Sequence, residues 1–171
     1  MLGFELKGHF QHGKKNLEAG RNNQDGAYME NFEGNLILVV TDGCSCGTYK
    51  SEVGSRLGVH IVTNAIKKNF SLFKEDKSLF LNEVKRSILE VLVTLCQIVP
   101  VYNNYNNTIN EFLLFTFVGC IISPEETVIF SFGDGNYCLN DKEVKIDYAG
   151  KNKPMYISML LISVTLKFAL P

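Results

Sequence analysis

No charge of one sign predominates in this 171-residue chain, where 17 basic residues stand against 18 acidic ones for a formal net charge of -1. No basic cluster is long enough to track a phosphate backbone, so no nucleic-acid partner is expected. No apolar run reaches the length of a membrane span. The most apolar stretch, Met155–Leu170, is broken by Lys167 and carries Ser158, Ser163 and Thr165; it reads as a buried strand or helix, and no membrane partner is expected. The first ten residues, MLGFELKGHF, lack a basic start followed by an apolar core, so no secretory signal is expected. Cysteine is sparse and odd in number: Cys44, Cys46, Cys96, Cys120 and Cys138. The last three lie in apolar contexts and read as reduced core thiols of a cytoplasmic protein. Cys44 and Cys46 have no second pair to complete a structural zinc site. Neither has an Arg six positions on, where a cysteine phosphatase would need it; Lys50 and Glu52 stand there.

What is present is organised around Leu36–Gly47, LILVVTDGCSCG. Five apolar residues, Leu36 to Val40, run into Thr41-Asp42-Gly43, which reads as a buried strand ending in a sharp turn. A carboxylate at such a strand end is held stiffly, and the following Gly lets the backbone approach a ligand. Carboxylate and carbonyl oxygens on a rigid element are how hard cations are held. An Asp-Gly turn bonded only to its own backbone is the plainer reading of these residues.

Two further stretches bear on that choice. Arg21–Tyr28, RNNQDGAY, places Asp25 just before a strand at Gly26–Asn31, and Phe32–Asn35 reads as a hairpin turn into the central strand. Val128–Leu139, VIFSFGDGNYCL, places Asp134 between two apolar segments. Between them, Val53, Leu57, Ile61 and Ala65 recur at helical spacing, with Gly54 and Gly58 as a small strip beside them, so Ser51–Phe70 is expected to be a helix packed closely on a sheet. His60 beside that face reads as a partly buried structural residue. A second helix is expected over Asp76–Val99, with Leu81, Val84, Ile88, Val91, Leu95 and Ile98 as its apolar stripe, Leu79, Phe80 and Leu92 widening it toward more than one neighbour, and Pro100 after it. Asn-rich Val101–Asn110 reads as an exposed loop. Gly3–Phe10, Glu111–Ser123 and Thr127–Phe132 read as strands, and Asn136–Asn140 with Glu143–Asp147 as a last hairpin.

The order N-Q-D, strand, T-D-G, helices, strand, G-D-G resembles the metal-dependent protein phosphatases of the PPM type, also called type 2C, and within them bacterial-like sequences with D-G-C-S in place of D-G-H-G. The resemblance implies an α+β fold, an α/β sandwich of two antiparallel sheets flanked by helices, in a single domain over residues 1–171. It implies hydrolysis of phosphoserine and phosphothreonine in proteins by water activated between two Mn2+ or Mg2+ ions. Asp42 would bridge the ions, the Gly43 carbonyl would add a ligand, and Asp25 and Asp134 would bind metal directly or through water, with Asp42 and Asp25 central to catalysis. Arg21, four residues before Asp25, is put forward for the substrate phosphate, with Lys14 and Lys15 of the same loop as alternatives. After Asp147 the chain has no Asp or Glu, whereas the family supplies two further carboxylates there. The sequence therefore reads as a C-terminally incomplete domain, and a catalytically inactive, phosphatase-like interaction module or truncated fragment is the alternative.

Overall fold

The computed structural model describes residues 11, 14, 18, 22–44, 50–99, 104–146, 156, 157 and 160. The expected strand Gly3–Phe10, Arg21, Lys15, Cys46 and nearly all of Met155–Leu170 lie outside the described residues.

The fold starts from a hairpin, β1 (Asp25–Phe32) and β2 (Asn35–Gly43). Its two turn residues, Glu33 and Gly34, both take positive φ, 51° and 77°. That twist matches the twist of the flanking strands. The Asn35 side chain donates to the Glu33 carbonyl at 3.0 Å and steadies the turn. Two strands from the second half of the chain, β3 (Phe115–Ile122) and β4 (Thr127–Phe132), extend the hairpin into a four-stranded antiparallel sheet of order β1-β2-β3-β4. A separate hairpin, β5 (Gly135–Leu139) and β6 (Lys142–Ile146), forms a two-stranded sheet. With the helices this is the expected α+β arrangement of two antiparallel sheets.

One face of the larger sheet is covered by α1 (Ser51–Lys68), the short α2 (Leu72–Glu75) and α3 (Lys77–Ile98). Strand alternation points Ile37 and Val39 into this layer, where they are 0–1% exposed, while Val40 turns to the other face and is 49% exposed. The central strand is thus buried on one face and lines a cleft on the other, which a continuous apolar run does not disclose. A row of rings threads the layer: Phe32, Phe70, Phe73, Phe80, Phe130 and Phe117 meet in successive pairs with centroids 5.3–6.4 Å apart.

Both long helices form where expected, and part of each expected stripe faces the core: Ile61 and Ala65 in α1, Val84 and Ile88 in α3. In α1 the residues against the sheet are Gly54, Ser55, Gly58, Val59, Val62 and Ile66, while Val53 and Leu57 are exposed. In α3 the buried residues are Phe80, Val84, Ser87, Ile88, Leu92 and Cys96, leaving Val91 and Ile98 exposed. The reason is packing distance. Small residues let α1 lie close to β3, and a close-packed face need not be the most apolar one. A Cβ added at Gly54 would stand 2.4 Å from the Phe112 carbonyl oxygen, a backbone atom that cannot swing aside. Gly54→Ala gains about 1 kcal/mol of helix propensity but costs about 3 kcal/mol in overpacking. The expected net loss is about 2 kcal/mol, read as a lower urea midpoint at unchanged slope.

Two other expectations are corrected. Val101–Asn110 is not an exposed loop throughout, because Tyr105–Phe112 forms a helix, α4. The Asn104 side chain accepts from the Asn106 N–H as its cap, and Thr108 and Ile109 are buried. Cys138 is exposed, not a core thiol, whereas Cys96 is buried and Cys120 half-buried. Burial pushes the Cys96 and Cys120 thiols up, which keeps them unreactive.

Candidate metal centre

Asp25 opens β1 and Asp42 stands one residue from the end of β2, and antiparallel register sets them directly opposite each other. Opposed side chains in such a ladder have Cβ atoms about 4.5–5.5 Å apart. The strand ends that carry them are pinned. The Thr41 hydroxyl, buried, donates to the Ser55 carbonyl of α1 at 2.8 Å. The Gly43 N–H donates to the Gln24 carbonyl at 2.9 Å, and the Cys44 N–H donates to the Leu114 carbonyl at 3.2 Å. The Asp25 N–H donates to Asn23 Oδ1 at 3.0 Å. On its other side Asp42 faces Thr116 across the β2–β3 ladder.

Asp134 reaches the same place from the connection between β4 and β5. Gly133 takes φ 95°, and Gly135 lies so near β3 that a Cβ there would stand 2.7 Å from Val118 Cγ2. A glycine on each side of Asp134 therefore folds that loop down over the sheet. Asp25, Asp42 and Asp134 line one cavity of about 300 Å³ with Gln11, Val40, Thr116, Val118 and Asn136 on its walls.

Burial and two neighbouring carboxylates both act on Asp42. Its pKa is raised from 3.8 to about 6. Desolvation by the surrounding protein is the main cause, followed by the charge of Asp25, a side-chain hydrogen bond with Asp25 and the charge of Asp134. The side chain keeps solvent access on the cleft side. A raised carboxylate pKa means that the folded chain holds the proton more tightly than the unfolded one. Asp42 thus contributes stability that is fully present below about pH 4 and is lost as pH rises through about 6. A shift of this size on a fully buried group equals about 3 kcal/mol; solvent screening reduces the expectation to about 1 kcal/mol. Without metal, Asp42→Asn should match the wild type in melting temperature near pH 4 and exceed it by about 2–4 °C at pH 7.

A scan against protein families matches residues 12–165 to the protein phosphatase 2C family. The chain belongs to that family. No curated protein and no solved structure matches it. The protein phosphatase 2C family is generally metal-dependent, and the donor set here fits a hard divalent ion, since it offers oxygen and carries a negative field that a cation would offset. Among the described residues, no three His, Cys, Asp or Glu side chains close around one point. The geometry therefore provides a carboxylate pair, Asp25 and Asp42, with Asp134 farther along the cleft. Such a pair suits a Mg2+-like ion that keeps several waters.

The other candidate residues are sorted by the same geometry. Gly43 is buried behind Asp42. Lys14 is exposed and pairs with Glu18 at 4.0 Å. Cys44 is buried in the hydrophobic core, which removes it from any zinc pair. His60 is exposed, not partly buried, and packs edge-on against Tyr28 with ring centroids 4.7 Å apart. Sequence reasoning passed over Arg56, which lines a second cavity with His60 and Asp25. The spacing of four between Arg56 and His60 on one helix was the available signal. Among the described residues, no helix is long and apolar enough to cross a membrane.

Proposed function

We propose that the chain, acting as one phosphatase domain, hydrolyses phosphoserine and phosphothreonine in proteins with the help of Mn2+ or Mg2+. The observation that carries this reading is the register pairing of Asp25 with Asp42 on a cleft shared with Asp134. Asp42 and Asp25 would hold the ion, the Gly43 carbonyl is assigned as a further ligand, and Asp134 adds its charge and a ligand to a second ion. Divalent ions bound there would supply activated water for attack at phosphorus and offset the phosphoryl charge.

The chain's own groups do the rest. Strand ends pinned by Thr41, Gly43 and Cys44 keep the two carboxylates from spreading apart under their repulsion. Asp42, with its pKa raised to about 6, would have to give up its proton to hold a cation, so metal affinity should rise with pH across that range. Val40 and Val118 give the cleft an apolar wall and Thr116 and Asn136 give it neutral polar groups. Arg21, ahead of β1, remains assigned to the phosphate.

The test is hydrolysis of p-nitrophenyl phosphate and of a phosphothreonine peptide by the purified chain. Turnover that requires Mn2+ or Mg2+, stops with EDTA and is lost in Asp42→Asn supports the reading. A folded chain with no turnover under any divalent ion would overturn it and leave a phosphatase-like module that binds.

A further inference from the structure

Beyond the carboxylate cleft, a second and larger cavity of about 490 Å³ lies at the start of β1. It is lined by Asn23, Asp25, Gly26, Ala27, Arg56, Val59 and His60, and it shares Asp25, Gly26 and Ala27 with the first. The two cavities thus flank the same few residues of β1.

α1 runs alongside β1, and contacts between them are ordered along both elements. Gly26 lies against Ser55 and Val59, Tyr28 against His60, and Glu30 pairs with Lys67 at 2.7 Å. The two lysines that end the helix are both used, Lys67 by Glu30 and Lys68 by Glu90 at 3.3 Å. Arg56, at the end nearest the carboxylate cleft, makes no ion pair among the described residues. Its guanidinium offers a planar fork of donors suited to a carboxylate. Asn23 uses its Oδ1 to accept from the Asp25 N–H, which leaves its amide nitrogen as a further donor. Among the described residues Asp25 is the one carboxylate lining this cavity, and under the reading above a cation would offset it.

We propose that this second cavity is a specificity subsite that takes the acidic side chain of an Asp or Glu close in sequence to the phosphorylated residue, held by Arg56 with Asn23 and His60 around it. The inference rests on the phosphatase reading and adds a substrate class to it: phosphopeptides with an acidic neighbour. An extended peptide laid across the start of β1 would put its phosphoryl group in the first cavity and the neighbouring carboxylate in the second.

The test compares three phosphothreonine peptides that differ only in whether the flanking residues are Glu, Gln or Lys. For the wild type, kcat/KM is expected to favour the Glu peptide over the Gln peptide by about fivefold to tenfold, mostly through KM, and to lose that margin in high salt. Arg56→Gln should bring the ratio near one. Arg56→Glu should invert it in favour of the Lys peptide, an outcome that damage to folding cannot imitate. A wild type with no preference, or a preference that survives both substitutions, would overturn the subsite. Wild-type turnover of p-nitrophenyl phosphate, which has no neighbouring carboxylate, reports separately on the phosphatase reading. If that turnover is absent, fluorescence anisotropy of the same labelled peptides still measures the ratio and decides the subsite by itself.

Discussion

Asp42→Asn is expected to lower Mn2+-dependent kcat/KM by at least about 100-fold while making the metal-free chain more stable. The two effects have one origin. Asp42 sits opposite Asp25 and within the field of Asp134, so its negative charge is costly until a cation offsets it. A neutral amide of the same shape removes the repulsion and the ligand together. Charge stabilisation by a bound ion at the transition state is worth several kcal/mol, and each 1.36 kcal/mol is tenfold in rate, so a loss of about two to three powers of ten follows. A gain of about 1 kcal/mol in the metal-free state is smaller but opposite in sign, the trade expected where stability has been given up for a site. The signature is a crossing. Without metal the variant melts higher than the wild type at pH 7, and with saturating Mn2+ the wild type rises and the variant does not. A variant that melts lower than the wild type without metal would show that Asp42 is a structural residue of the turn instead.

Phe115→Ala is expected to cost about 3–5 kcal/mol, the range for losing a fully buried phenylalanine ring. Phe115 is 0% exposed at the start of β3, paired in register with Gly43 of β2. Its ring lies against Gly58 of α1, where a Cβ would stand only 2.8 Å from Phe115 Cε2. α1 is held close to the sheet at this point, and the pinned backbone around Gly43 limits how far the site can collapse into the void. A domain of this kind is stable by about 5–15 kcal/mol, so the variant should lose a large share of that margin and melt about 10 °C lower. Metal binding should weaken with it, because Phe115 supports the strand end that carries Asp42. Urea denaturation with and without Mn2+ reads both effects; an unchanged midpoint would mean that the core relaxes around the missing ring.

Legibility differed between the sheet and the helices for physical reasons. The β1–β2 hairpin was readable because Asp25 and Asp42 lie at fixed distances from the Glu33-Gly34 turn, and register follows from turn geometry. The position of Asp134 was readable only through the order of the three Asp residues, since no local rule brings the β4–β5 connection to β2. What places it is a contact, Gly135 on Val118, that lies far apart in sequence. The helix faces were legible in part: Ile61, Ala65, Val84 and Ile88 are buried as expected, but four other stripe residues are exposed. Val53, Leu57, Val91 and Ile98 are more apolar than Gly54, Ser55, Gly58 and Ser87, yet the small residues are inside. Close approach favours small side chains; the Gly54 and Gly58 strip signalled it in α1, whereas Ser87 in α3 carried no such signal. α4 was hidden by its asparagines, whose use as a cap at Asn104 looks like loop composition until Ile109 is seen to be buried. Arg56 escaped notice because an exposed helical arginine has no local mark of function; its meaning comes from the cavity shared with Asp25.

Divalent cations are expected to bind at Asp25 and Asp42, with Asp134 farther along the same cleft. The most direct measurement is Mn2+ binding by the purified chain, followed by electron paramagnetic resonance of the free ion at pH 7. The wild type is expected to bind, with a fall in affinity of about 100-fold or more in Asp42→Asn, a clear loss in Asp25→Asn and a smaller one in Asp134→Asn, each variant being folded. Mn2+ affinity that is the same in the wild type and in all three variants would contradict it.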